Sequence, residues 1–382
     1  MTTAPPTPDT SLSTHQSLAH GPLSTALLHI ERARRGAADW TEARHVLAST
    51  GPLIDGPDAG LFLGAPAMAF ALHLAADGTD RYTGALHTLD GIVAAHTRRR
   101  LAAAHARIDA GHRPRFSEYD LLRGLTGVGA LLLRRAPDSP ELYGILEYLV
   151  RLTEPLTDRE GQTLPGWWVG HAPASDPGAT PGGHANAGLA HGITGPLALL
   201  SLSMRAGIHA DGQEQAVRRI CRWLDQIRQS DAHGVRWPRW ISHRGAAPAH
   251  PASPSWCYGA PGLVRAQQLA AIVVEDFDRK RMVERALTYC LADDRQLDML
   301  ADRGLCHGVG GLLRTVQRVA ADADRPGEYD RRFGQLVQRF MLSAVPESDG
   351  FLVGRAGASL AFQDAESAET PKGQWDACLL LT

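Results

Sequence analysis

Two side chains that bind soft or borderline metals stand next to one another in Leu305-Cys306-His307-Gly308-Val309-Gly310-Gly311, just ahead of the apolar pair Leu312-Leu313. Forty-nine residues earlier the layout returns in Trp256-Cys257-Tyr258-Gly259-Ala260-Pro261-Gly262, with Cys257 in the place of Cys306. It returns again in Gly188-Leu189-Ala190-His191-Gly192-Ile193-Thr194-Gly195, where His191 takes the place of His307. Residues at equivalent points of a repeat can be aimed at one shared centre. Two thiolates and an imidazole suit zinc better than magnesium or calcium. Three protein ligands leave a tetrahedral ion one open position, which is the pattern of a catalytic site and not of a sealed structural one.

Each residue also has a plainer reading. A cysteine by itself is usually a small buried hydrophobe, and Cys221, Cys290 and Cys378, which lack the glycine context, are read that way. The Cys-His pair matched by a second Cys at the repeat-equivalent position makes Cys257, Cys306 and His307 the expected ligands. His191 could be a fourth ligand, a general acid or base beside an open metal position, or a core histidine with satisfied hydrogen bonds. Asp120, in Glu118-Tyr119-Asp120-Leu121-Leu122-Arg123-Gly124, could face the same mouth. An aspartate ahead of a helix otherwise serves as its N-cap. Tyr258 could place a hydroxyl near the metal or simply pack at a helix start. His20 and Arg355, beside the first and last glycine motifs, read as rim residues.

What must position these groups is the repeat itself. A Gly-x-x-Gly, or the same with Ala or Ser last, followed by an apolar helix-forming run, begins at Gly21, Gly64, Gly124, Gly192, Gly259, Gly308 and Gly354. The intervals are 43, 60, 68, 67, 49 and 46 residues. The helices after the motifs are apolar and small-sided, as in Gly195-Pro196-Leu197-Ala198-Leu199-Leu200, and should be buried on most sides. Those between are amphipathic: Glu214 to Gln229 puts Val217, Ile220, Cys221, Leu224 and Ile227 on one stripe. Leu142 to Leu152 behaves likewise after Ser139-Pro140. Seven inner and outer helix pairs predict an all-α chain closed into an α/α toroid, with the glycine turns gathered at one end. Two loops rich in Pro, Gly, His and Trp, roughly 160–187 and 231–255, should form a rim over that mouth. Val235-Arg236-Trp237 and Trp167-Trp168-Val169 are expected as short extended pieces within them.

Composition narrows the class. A chain of 382 residues with 39 Lys+Arg against 41 Asp+Glu has nothing that demands nucleic acid or an anionic membrane. Residues 1–14, rich in Thr, Pro and Ser, read as a disordered tail and not a signal peptide, leaving 15–382 as one domain. No apolar run approaches a membrane span. Five cysteines spread through a large chain argue against a disulfide framework and for a reducing, cytoplasmic setting.

Asn186-x-Gly188-x-Ala190-His191-Gly192-x-x-Gly195, Trp256-Cys257-Tyr258-Gly259-x-Pro261-Gly262 and Cys306-His307-Gly308-x-Gly310-Gly311 resemble the signature of lanthipeptide (lantibiotic) synthetase component C, the LanC-like cyclases. The resemblance runs from the first repeat to Trp375-Asp376. It implies an α/α toroid with zinc (Zn2+) held by Cys257, Cys306 and His307, an acid/base histidine at His191 and a catalytic aspartate at Asp120. Tyr258 is carried as a further catalytic candidate. The implied reaction is Michael-type addition of a peptide Cys thiol to dehydroalanine or dehydrobutyrine, giving a (methyl)lanthionine thioether. The implied partners are a dehydrated precursor peptide with its leader, and a dehydratase and exporter complex to which the protein would be peripheral. The chain departs from bacterial members at Ser253-Pro254-Ser255, where these often carry an arginine. The rival readings are addition of glutathione to dehydro residues, a non-catalytic scaffold with structural zinc, and an α/α-barrel glycosidase. The last lacks a second carboxylate at a motif edge.

Overall fold

The glycine motifs open helices, as their spacing predicts. In a computed structural model, the described residues are 15–382 without 52, 54, 55, 57, 158–160, 173–179, 233, 247–251 and 367–373. The expected disordered tail, 1–14, lies outside them.

The helices come in pairs. α1 (Pro22–Arg34) is followed by α2 (Thr41–Ala48), and α3 (Ala65–Ala76) by the long α4 (Thr83–Asp109). A single turn, α5 (Phe116–Tyr119), precedes α6 (Leu125–Arg135) and α7 (Pro140–Leu152). The later pairs are α8 (Thr194–Arg205) with α9 (Gln213–Ile227) and α10 (Ala260–Val273) with α11 (Phe277–Cys290). After the short α12 (Asp294–Leu297) come α13 (Val309–Asp322) with α14 (Asp330–Leu342), and then α15 (Arg355–Glu366). The seventh motif thus has an inner helix and, among the described residues, a 3-10 turn at Trp375–Leu379 in place of an outer one.

The inner helices form a closed ring in chain order. α1 packs on α3, α3 on α6, α6 on α8, α8 on α10, α10 on α13, α13 on α15, and α15 returns to α1. The outer helices α2, α4, α7, α9, α11 and α14 each lie against the inner helix they follow. Composition decides the layer. Every residue of α3 except His73 is buried, because Ala, Met, Phe and Leu leave no polar face to present to water. α9 buries Ala216, Val217, Ile220, Cys221, Leu224 and Ile227 and turns Arg218 and Arg222 outward. Each large aliphatic side chain in that stripe contributes about 2 kcal/mol of burial. Ser139 Oγ accepts from Leu142 N at 3.3 Å and so starts α7 as its sequence suggests.

The glycines are where the backbone crowds. A Cβ on Gly127, Gly195, Gly262, Gly311 or Gly357 would run into the carbonyl oxygen six residues back, at Leu121, Leu189, Trp256, Leu305 and Phe351 respectively. One turn geometry is therefore used at five successive motifs.

Residues 375–382 run through the middle of the ring. Trp256 Nε1 donates to Leu379 O at 3.1 Å, Arg265 Nε to Leu381 O at 2.9 Å, and Arg134 donates to Thr382 O. Asp376 accepts from Arg314 at 2.8 Å and Arg318 at 2.6 Å, while Arg314 also pairs with Asp364 at 2.7 Å. Arg314, Asp364 and Asp376 are fully buried, so each charge depends on the others. The two loops expected at the rim do meet: β3 (His184–Asn186) pairs antiparallel with β6 (Trp240–Ser242), Asn186 opposite Trp240. β1 (Leu156–Thr157) with β2 (Thr163–Leu164), and β4 (Gln229–Asp231) with β5 (Gly234–Arg236), make small hairpins, and β7 (Gly245–Ala246) edges β6. The extended pieces foreseen in sequence appear as β5 and as the bridge from Val169 to His184.

Candidate metal centre

The motif turns are stitched edge to edge by main-chain hydrogen bonds. Leu121 N donates to Ala190 O at 3.1 Å, Leu189 N to Cys257 O at 2.9 Å, Cys257 N to Cys306 O at 3.3 Å, and Cys306 N to Leu352 O at 2.8 Å. Asp120, His191, Cys257 and the Cys306-His307 pair therefore stand at matching points of neighbouring turns. Backbone pairing, not side-chain reach, brings them together.

Ligand atoms of Cys257, Cys306 and His307 all lie within 4.8 Å of one another. Cys257 is buried, Cys306 half-buried and His307 exposed, so the group is open on one side. The Cys306 thiol donates to Cys257, which holds Cys257 well below the ordinary thiol range despite its burial, with help from His307 and Ser255. Cys306 is raised by the same bond and by its own burial. Contact with the Cys257 sulfur raises His307. Ser255 Oγ lies 3.6 Å from Cys257 Sγ. Two sulfurs beside an imidazole make an electron-rich cluster that could hold a metal ion. Cys221 and Cys290, read as inert, are buried, with thiols pushed up to about 11 and about 12 by burial; burial likewise raises Cys378.

His191 stands outside the ligand group. Its Nδ1 is 2.7 Å from Asp120 Oδ2. The other carboxylate oxygen of Asp120 accepts from Arg123 N and Gly124 N, both at 2.8 Å. Asp120 therefore does cap the turn before α6, and with its second oxygen it also grips His191. Arg100, from α4, clamps the loop on either side, donating to Ser117 O and, at 2.6 Å, to Arg123 O. Asp120 is 1% exposed and the His191 side chain 33%, so the imidazole faces the mouth and the carboxylate lies behind it. A carboxylate only accepts, so Nδ1 carries the proton and Nε2 is the basic nitrogen.

Tyr258 lies against Gly188, where a Cβ would overlap its ring. Its ring centroid is 6.2 Å from that of His191. Asn186 Nδ2 donates to the phenol oxygen at 3.4 Å, while Asn186 Oδ1 accepts from Gly188 N at 2.8 Å. Burial, with the nearby Cys257 and Asp120 charges adding, pushes the phenol up to about 12. Of the weaker candidates, His20 is exposed at the rim and Arg355 pairs with Asp349 at 2.5 Å. Three neighbours carried no signal of their own in sequence. Asn186 was visible only as a motif letter. Phe116, whose ring is 6.2 Å from His191, sits in a stretch with no glycine motif. Arg239, whose guanidinium is 5.9 Å from the Tyr258 ring centroid, enters from the rim loop.

No curated protein matches the sequence. Among solved structures, thirteen chains match. One, named nisin cyclase, superposes with a TM-score of 0.77 at 20% identity, covering 96% of this chain and 92% of that one. At that identity the likeness carries the fold, and it agrees with the closed ring of inner helices. The model of the family described as lanthionine synthetase C-like protein matches residues 13–380. With the match spanning almost every residue from the first glycine turn to the tail inside the ring, the chain belongs to the lanthionine synthetase C-like family.

Proposed function

We propose that the chain is a zinc-dependent lanthipeptide cyclase, closing thioether rings by adding a peptide cysteine thiol across the double bond of dehydroalanine or dehydrobutyrine. The observation that carries this reading is the placement of the Cys257, Cys306 and His307 cluster and the His191–Asp120 pair on adjoining turns of one mouth. The nisin cyclase likeness and the family both favour it. Cys257, Cys306 and His307 would hold the zinc, and the thiolate-rich donor set fits that ion. When bound, it supplies a Lewis-acid position that lowers the pKa of a substrate thiol.

His191 Nε2 takes the proton that leaves the substrate thiol. Sulfur bonds to the β-carbon, the double-bond pair moves to the α-carbon and its carbonyl, and His191 returns the proton to the α-carbon. Protons and electrons balance, and only the C–S and C–H bonds are new. Asp120 acts through His191: it fixes the tautomer and stabilises the charged ring while that ring holds the proton. Tyr258, a phenol protonated at neutral pH and driven further from ionisation by burial, does not act as a base. Dehydration of Ser or Thr in the same peptide is the reaction class that must supply the substrate.

The test uses the purified chain and a peptide carrying one dehydroalanine and one free cysteine. Ring closure leaves the mass unchanged and removes the thiol, so it is followed by loss of alkylation. Closure no faster than without protein would end the reading. Faster adduct formation with added glutathione than ring closure would move it to the intermolecular rival.

A further inference from the structure

Just ahead of the rim strand β6 the chain brings a cation to the mouth that has no acidic partner among the described residues. Arg239 immediately precedes Trp240, the residue paired with Asn186. Its carbonyl accepts from Ala187 N at 2.9 Å. Residue 239 is therefore tied by main chain to the segment that carries Asn186, Gly188 and His191. Its side chain is exposed, and its guanidinium carbon is 5.9 Å from the Tyr258 ring centroid. The same ring is 6.2 Å from His191. Among the described residues no carboxylate pairs with Arg239, whereas Arg107 and Arg236 have acidic partners. Tyr258 follows the ligand Cys257, so a group lying over its ring is within reach of the metal cluster, of His191 and of Arg239 together.

We propose that Arg239 is a catalytic residue of the addition, donating to the carbonyl oxygen of the dehydro residue under attack. The inference rests on the cyclase reading above. As the substrate sulfur bonds to the β-carbon, the double-bond pair shifts to the α-carbon and spreads onto that carbonyl oxygen. The charge disappears when His191 returns its proton to the α-carbon. A fixed donor aimed at an oxygen that gains charge only in the transition state acts mainly on the chemical step. A guanidinium suits the task because it stays charged at any working pH and offers a planar fork of N–H groups.

The experiment is steady-state kinetics on the dehydrated peptide, with metal content and melting temperature measured on the same preparations. Arg239→Gln should lower kcat about 10- to 100-fold, with KM changed less than about threefold. Arg239→Lys should recover part of the loss, since it keeps the charge without the fork. Metal content and melting temperature should match the wild type, because the side chain is exposed. A kcat within about twofold of wild type, a change confined to KM, or a loss that follows loss of metal would overturn the role. If the wild type itself closes no ring, the cyclase reading falls and takes Arg239 with it. A working wild type with an equally working Arg239→Gln sinks the inference alone.

Discussion

The backbone N–H of Cys257 donates to the carbonyl of Cys306 at 3.3 Å, so the two sulfurs are tied through the main chain independently of any ion. Many small metal sites are organised by their metal. Here the ring of helices has already set the distance, and the metal should add affinity at the cluster and comparatively little to the fold.

It follows that Cys257→Ala, Cys306→Ala and His307→Ala should each lose the roughly one zinc per chain expected of the wild type, together with cyclisation. Chelation should leave the helical signal intact. Metal analysis and circular dichroism on the three variants check this. Full zinc in Cys306→Ala would remove that residue from the ligand set.

The Asp120–His191 pair predicts a split between chemistry and stability. His191→Ala and Asp120→Asn should keep the metal and slow cyclisation by about 10²- to 10⁴-fold, the range of a lost general acid–base group. Asp120→Asn retains an oxygen for Arg123 N and Gly124 N. Asp120→Ala loses both bonds and should cost a further 1–3 kcal/mol of stability. Urea melts separate the two Asp120 variants. Equal stability would mean the cap contributes nothing.

Thiol ionisation makes a pH prediction. A free cysteine has a pKa of about 8.5, so the spontaneous ring closure should fall about tenfold per pH unit below it. The enzymatic reaction should fall less, and the ratio of the two rates should widen from about pH 8 down to about pH 6.5. Paired pH–rate profiles on one peptide, with and without protein, decide it. A constant ratio would mean that the protein only orients the chain.

Two glycines should respond in opposite directions. A Cβ on Gly311 overlaps the Leu305 carbonyl, on the turn that carries Cys306 and His307. Gly311→Ala should therefore destabilise by more than about 2 kcal/mol and weaken metal binding. Gly334, within α14, has open space around its Cβ. Gly334→Ala should raise stability by about 0.5–1 kcal/mol. Thermal melts of the two variants, side by side, are the measurement.

The ring and the residues of its candidate metal group were legible because they leave unusual residues at a fixed offset. A turn with no room for a Cβ marks five of the seven repeats, and Cys257, Cys306 and His307 inherit their position from it. His191 was visible for the same reason and Asp120 stood out ahead of the third motif, but their pairing was not visible. Nothing in sequence shows that Asp120 spends one oxygen on its own turn and the other on a residue 71 positions away. Asn186 and Phe116 escaped because their roles come from neighbours on other repeats. Arg239 escaped because it arrives on a rim strand whose pairing with β3 depends on two long loops meeting. The 3-10 turn that, among the described residues, follows the seventh inner helix was equally hidden. Residues 375–382 lie inside because Trp375, Asp376 and the apolar residues after them find the ring's interior.

That inward placement bears on how the protein comes into being in the cell. The segment 375–382 is synthesised after α1 to α15, and it is the one on which α6, α10, α13 and α15 converge. While the ribosome still holds it, the preceding repeats can assemble only around an unfilled middle, with Arg314 lacking one of its two carboxylates. The nascent chain must pass through a stage in which apolar inner helices are made but not sealed, a state open to wrong pairing and to quality-control factors. Until Trp375 to Leu381 emerge and seat themselves, each new molecule stays in that vulnerable stage.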